Sequence, residues 1–267
     1  MKIAAVQMVS APELAPNLEA AERLAAQAAA QGARLAALPE NFYCIGRHET
    51  DKVKLAERDG NGPIQTFLES ISRKFKIWVL AGTVPIEAKD KNRIRGACLL
   101  YDDSGKRVAR YDKMHLFRFD GGGAEKYDET RTVEPGEAPL AVCETPLGRL
   151  ALSVCYDVRF PELYRGLGEF DALFVPSAFT ATTGAAHWET LLRARAIENQ
   201  AYVVAPAQGE VHAGGRRTHG HTMIVDPWGE VLGCRPEGEG IVLAEMDLER
   251  VRQVRASLPA LANRRLH

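Results

Sequence analysis

The sequence predicts an α/β protein built on a mixed sheet with helices packed outside it. Three observations carry that prediction: a strand–helix–strand opening, many short apolar runs of strand length, and turn signals that fold later runs into hairpins. Residues 2–8 read as the first strand. Residues 18–31 follow as an alanine-rich amphipathic helix with Asn17 as its cap and Gly32 at its end. Strands are then expected at 35–38 and 78–86, apolar throughout like strands covered on both faces, with a helix at 64–75 between them. Strands 97–102 and 107–112 flank the turn sequence Asp102-Asp103-Ser104-Gly105. Strands 140–144 and 149–154 precede a helix at 161–167, which Pro161 opens. Strand 172–176 leads to a helix at 186–199, where Trp188, Leu191, Leu192 and Ala196 lie on overlapping turns and Glu189 and Arg193 pair at i,i+4 spacing. Strands 202–207, 222–225, 231–234 and 241–247 follow, the middle two joined through Asp226-Pro227-Trp228-Gly229. No repeat or linker stands out, so a single domain over 1–267 is expected, with residues after about 248 as a tail.

Composition narrows the function classes. The chain has 267 residues, 34 basic and 35 acidic side chains and a net charge of −1, so no nucleic-acid or anionic-membrane surface is expected from the global balance. The opening run 1–7 is too short for a signal peptide, no stretch approaches the ~20 apolar residues of a spanning helix, and a soluble, cytoplasmic protein is expected. Five cysteines at 44, 98, 143, 155 and 234, none in a Cys-x-x-Cys pair, argue for a reducing compartment. His212, His219 and His221 near Glu210 match no metal-ligand spacing, so loop histidines and no metal are expected.

Three segments hold side chains suited to chemistry. Leu152-Ser153-Val154-Cys155-Tyr156-Asp157-Val158-Arg159-Phe160-Pro161-Glu162 ends a buried strand at a cysteine just before a helix, where a nucleophile is held out while neighbouring N–H groups point to the same spot. Alone it reads better as a small core cysteine, which is what most free cysteines are. Leu38-Pro39-Glu40 puts a carboxylate directly after an apolar strand, where a charge is costly unless something uses or pairs it. Asp112-Lys113-Met114-His115-Leu116 puts a lysine at the close of a hairpin strand, where an exposed edge lysine is the ordinary alternative.

Taken in order, Leu-Pro-Glu, Asp-Lys-x-His-Leu and Val-Cys-Tyr-Asp-x-Arg-Phe-Pro-Glu resemble the three signature segments of the nitrilase, or carbon–nitrogen hydrolase, superfamily, and the resemblance runs along essentially the whole chain. It implies a four-layer αββα sandwich that pairs into homodimers or larger assemblies. It also implies a Glu-Lys-Cys triad with Glu40 as general base, Lys113 as oxyanion stabiliser and Cys155 as nucleophile. A second glutamate before a Pro-Gly pair matches Glu129, with Glu125 as its neighbour in contention, and no cofactor enters that scheme.

The stretches 176–189 and 192–200 resemble the small amidase branch that includes deaminated-glutathione amidase and omega-amidase, and 205–208, 220–229 and 42–47 look closer to the first of these. The first activity, giving 2-oxoglutarate and cysteinylglycine, is preferred, with omega-amidase action on 2-oxoglutaramate second. A nitrilase, a carbamoyl-amide hydrolase, an acyl transferase and a non-catalytic binding protein are weaker readings. Anionic substrates of this kind need a cationic handle, for which Arg159 and Arg47 are candidates, with Arg216 and Arg217 in nearby loops. The backbone N–H of Tyr156 is a second oxyanion donor, and Phe179 and Thr180 are expected in the pocket wall. The 186–199 helix, by the same resemblance, contributes to a dimer interface.

Overall fold

In the computed structural model, which describes residues 1–122, 125–137 and 142–265, the apolar runs of the first half become strands buried on both faces. In chain order come β1 (Lys2–Gln7), α1 (Leu14–Ala30), β2 (Ala33–Ala37), α2 (Pro63–Phe75), β3 (Trp78–Glu87), β4 (Ile94–Tyr101) and β5 (Arg107–Asp112). Side chains alternate across a strand. Ile3, Ala5, Leu35, Leu80 and Leu100 therefore face one core, and Ala4, Val6, Ala36, Val79 and Leu99 face another, which Leu24 of α1 and Leu68 of α2 close.

A short ribbon, β6 (Arg118–Asp120) with β7 (Lys126–Asp128), separates the two halves. After it come β8 (Cys143–Thr145), β9 (Gly148–Leu152), α3 (Pro161–Gly166), β10 (Ala172–Phe174), α4 (Ala181–Asn199) and β11 (Tyr202–Ala205). A second ribbon pairs β12 (Gly209–Val211) with β13 (Arg217–His219). The chain then adds β14 (Thr222–Val225), β15 (Val231–Arg235), β16 (Gly240–Glu245) and α5 (Leu248–Ser257).

Two six-stranded sheets result, ordered β16-β1-β2-β3-β4-β5 and β15-β14-β11-β10-β9-β8. Both carry one wiring. Read from β16 and from β8, successive pairings run antiparallel, parallel, parallel, antiparallel, antiparallel. The sheets share a core in which Leu35, Leu80 and Leu100 meet Leu150, Leu152 and Phe174, while Trp188 and Leu192 of α4 cover the far side. The layers are helix, sheet, sheet, helix, as the resemblance implies.

Several local readings need correction. The first helix starts at Leu14 rather than 18, because Pro16 can sit in a first turn that needs no N–H from it. Asn17 is thus a helical residue, not a cap. Its Nδ2 donates to the carbonyls of Ala11, Glu13 and Tyr43, and its Oδ1 accepts from Ala11 N–H, so it ties the loop after β2 to the helix. The fourth helix starts at Ala181, not 186, because Thr180 Oγ1 accepts from Thr183 N–H and caps it. The expected strand at 140–144 lies partly outside the described residues, and its described part pairs as Cys143–Thr145. Neither ribbon was anticipated; three-residue strands leave little pattern. The stretch beyond 248 begins as α5, which buries Val251 and Val254.

His212 anchors the β12–β13 ribbon from inside. Its Nδ1 lies 3.1 Å from Ser10 O and its Nε2 2.8 Å from Thr218 Oγ1, and burial pulls its pKa down to about 4. A histidine depressed below its unfolded value near 6.5 must shed its proton on folding, so stability is fully present above about 6.5 and falls as pH drops toward 4. Urea titrations at successive pH values are expected to show this slope, and His212→Gln to flatten it. An unchanged slope in the variant assigns the loss to other groups.

Candidate active site

The side chains singled out by sequence sit where strand ends of the two sheets meet. Beyond β2 the chain keeps its pairing through Leu38 N–H to Leu80 O at 2.8 Å, then presents Glu40. Gly82 permits this approach, since a Cβ there would stand 2.3 Å from the Pro39 carbonyl. Asn41, at φ 54°, turns the chain away and donates its N–H to Thr83 Oγ1. Lys113 follows β5 and is held by its N–H to Gly96 O and by Gly136 N–H on its own carbonyl. Cys155 ends the extension of β9 at φ 50°, a left-handed value that costs a non-glycine residue energy and marks a turn the surroundings enforce. Its N–H donates to Pro176 O at 3.0 Å.

Asp157 enforces that turn. This fully buried carboxylate accepts from Val154 N–H at 2.8 Å and Tyr111 O–H at 2.8 Å through Oδ2. Oδ1 accepts from His115 N–H at 3.0 Å and meets His115 Nδ1 at 2.7 Å. One side chain therefore clamps the cysteine elbow to the segment that carries Lys113. Asp157→Ala strands at least three donors, each worth about 1–3 kcal/mol when buried and unpaired, so a loss of roughly 3 kcal/mol or more in unfolding free energy is expected. A shift below 1 kcal/mol in the urea transition would show that the clamp is dispensable.

Within the site, Lys113 Nζ donates to Glu40 Oε1 at 2.8 Å and to Glu129 Oε2 at 2.7 Å. Glu40 Oε2 accepts from Ala178 N–H at 2.9 Å, and Glu129 Oε2 accepts from Phe117 N–H at 2.9 Å. Glu40, Lys113 and Cys155 are all buried. Burial, followed by the Glu40 charge, pushes the Cys155 thiol well above the ordinary thiol range, and Lys113 with the Ala178 N–H offsets this only in part. The resting sulfur is therefore a thiol, with a carboxylate at hand to take its proton. Burial works against the Lys113 ammonium, yet Glu129 and Glu40 hold its pKa well above that of a free lysine. Burial likewise disfavours the Glu129 anion, but Lys113, Lys52 and the Phe117 N–H together outweigh it and Glu129 titrates low. A protonated sulfur, a base and a fixed cation around one point can drive addition to a carbonyl or nitrile carbon.

The space beside the sulfur is small, about 30 Å³, and is lined by Glu40, Lys113, Phe117, Glu129, Cys155 and Ala178 among others. It shares Asn41, Glu49, Lys52, Tyr127 and Arg216 with an outer chamber of about 280 Å³. Of the two glutamates in contention, Glu129 is in the site, whereas Glu125 accepts from the Thr182 hydroxyl outside it. The expected handles are placed less well. Arg47 is exposed on the outer chamber. Arg159 lies over the Tyr156 and Phe179 rings at 5.7 and 5.1 Å and approaches His187. Neither its side chain nor the Tyr156 ring, which packs edge-on against Phe117 and Phe160, lines the chamber at the sulfur. Phe179 and Thr180 do not wall that chamber either, because Phe179 packs on Trp188 and Thr180 is spent on its helix cap. Arg217 is exposed on β13, as a solvated arginine would be.

The sequence reading missed Lys52, which is only 8% exposed and pairs with Glu49 at 3.4 Å, and it missed Tyr127. Lys52 lies in a charged loop stretch, His48-Glu49-Thr50-Asp51-Lys52, where nothing in the pattern separates a buried lysine from a solvated one.

Comparison with known proteins gives the family and the fold. Residues 2–256 match the model of the family described as carbon-nitrogen hydrolase. The deaminated glutathione amidase of Synechocystis is 44% identical over 265 residues, covering 98% of this chain and 97% of that protein. The crystal structure of the Caenorhabditis elegans NitFhit protein superposes with a TM-score of 0.90 at 39% identity; it covers 99% of this chain, which spans 65% of that longer protein. Saccharomyces cerevisiae Nit3, a member of branch 10 of the nitrilase superfamily, superposes with a TM-score of 0.87 at 30% identity, covering 100% of this chain and 97% of that one.

Proposed function

This chain belongs to the carbon–nitrogen hydrolase family, and from that premise we propose that it hydrolyses deaminated glutathione to 2-oxoglutarate and cysteinylglycine. It is an amidase, acting on carbon–nitrogen bonds other than peptide bonds. The observation that carries the mechanistic part is Lys113, held between Glu40 and Glu129 beside a protonated Cys155.

In this reading Cys155 Sγ adds to the amide carbonyl carbon while Glu40 takes the thiol proton. A free thiolate is not needed beforehand, and the buried thiol would not supply one at neutral pH. Negative charge gathers on the carbonyl oxygen, where the Lys113 ammonium and the Tyr156 N–H stabilise it, each donor contributing about 3–4 kcal/mol in comparable sites. The carbon–nitrogen bond then breaks and Glu40 returns the proton to the departing amine. Water attacks the thioester with Glu40 again as base, and the thiol leaves protonated. Glu129 keeps Lys113 charged and aimed.

Assay of purified protein on deaminated glutathione, 2-oxoglutaramate, carbamoyl amines and simple nitriles tests the substrate. Deaminated glutathione is expected to show the highest kcat/KM. Activity confined to nitriles or carbamoyl compounds would end this reading.

No described helix is long and apolar enough to cross a membrane. A cytoplasmic location is proposed from the five free cysteines, and a single domain from the core shared between the two sheets. A homodimer through α4 is proposed too, since Ile197 and the adjoining Trp228 turn are 48% and 56% exposed. Light scattering should give twice the chain mass, and Trp228→Glu should shift it toward one.

A further inference from the structure

From the outer chamber we infer a built site for a carboxylate on the amine side of the scissile bond, with Lys52 and Arg216 as its ligands. The inference rests on the substrate reading above and assigns one end of that substrate to one part of the cleft. Deaminated glutathione carries a carboxylate at each end, one on the oxo-acid and one on the glycine of the departing dipeptide.

Charge decides where a carboxylate can go. The chamber at the sulfur is lined by four carboxylates, Glu40, Glu49, Asp128 and Glu129, against Lys52, Lys113 and Arg216, so its balance is negative and disfavours a further anion. The outer chamber presents Arg47, Lys52 and Arg216 against Glu49 alone. Lys52 is buried at the junction of the two spaces, 3.4 Å from Glu49. Arg216 is spread over the Tyr127 ring at 5.3 Å, donates weakly to Ala178 O at 3.3 Å and lies 3.7 Å from Glu49. Its Nε is buried and finds no hydrogen-bond partner among the described residues. The Arg216 side chain nevertheless keeps 22% of its surface exposed, and a guanidinium's fork of N–H donors suits a ligand carboxylate.

Direction follows from the proton. The departing nitrogen must face the Glu40 carboxyl that protonates it, and the outer chamber is walled by the loop that continues from Glu40, Asn41 through Lys52. The amine half therefore extends there. About 280 Å³ is room enough for a dipeptide with ordered water.

The test compares deaminated glutathione with an analogue whose glycine carboxylate is capped as a primary amide, on wild type, R216Q and K52Q. Capping is expected to lower wild-type kcat/KM about tenfold or more, mainly through KM, since one charge-assisted hydrogen bond is worth that factor. Either substitution should cost a similar factor on the uncapped acid, and capping plus substitution should be no worse than either alone. Capping without effect in wild type overturns the inference even if the variants are slow or misfolded. So does a cost of capping that persists in full in both folded variants. Wild type that leaves deaminated glutathione intact removes the substrate reading and this one together, whereas cleavage indifferent to capping removes this one only.

Discussion

Cys155→Ala is expected to lower kcat on any amide the protein cleaves by on the order of 10⁴-fold or more, while leaving the fold and ligand binding close to wild type. The size follows from what the sulfur does. Without it no covalent intermediate forms, and only the positioned carboxylate and ammonium remain to help water attack directly. The fold should tolerate the change because alanine fits where the thiol was, and the strained φ of 50° is held by Asp157 and by the Cys155 N–H to Pro176 O, neither of which needs sulfur. Intact-mass spectrometry during turnover should show an acyl adduct on wild type and none on the variant. Residual turnover within tenfold of wild type would remove Cys155 from the mechanism altogether.

Lys113→Met is expected to damage stability and chemistry together. Removing one partner of a buried ion pair costs about 3–5 kcal/mol, since what remains must either stay charged without a partner or take up a proton. Here two carboxylates, Glu40 and Glu129, lose the one ammonium bridging them at 2.8 and 2.7 Å. Loss of an oxyanion donor lowers kcat by about 10²–10³ besides. The pH dependence should also change sign. In wild type, Glu129 titrates below its unfolded value, so its contribution is present above about pH 4.5 and is lost as pH falls through the folded pKa. In the variant the like-charged pair keeps one proton, and a carboxyl raised above its unfolded value stabilises at low pH and loses that effect as pH rises. Denaturant midpoints between pH 4 and 7 should therefore fall with rising pH for the variant relative to wild type. A parallel pair of curves would mean that Lys113 is not what holds Glu129 charged.

How far the sequence reached depended on whether the information was local. Strands buried on both faces write themselves as unbroken apolar runs, so β1, β3 and β9 were legible. Helix starts were misplaced at Asn17 and at residue 186 because a polar residue near a helix end looks like a cap whether or not its oxygen meets an N–H. Asn17 reaches other loops, while the working cap, Thr180, had been read as a pocket residue. Glu40, Lys113, Cys155 and Glu129 were legible as ordered motifs, and they lie together. Their neighbours were not. Lys52 and Tyr127 gain their position from tertiary packing alone, and Asp157 stood in a quoted motif without any sign that it binds Tyr111 and His115, 46 and 42 residues away.

The twin wiring of the two sheets has a consequence for how reactivity can arise during folding. Glu40 and Lys113 are carried by loops of one sheet and Glu129 by the stretch after the first ribbon, while the sulfur is offered by the other sheet. Each six-strand unit carries half of a reagent. On the proposed mechanism, turnover therefore requires one slab docked on its twin.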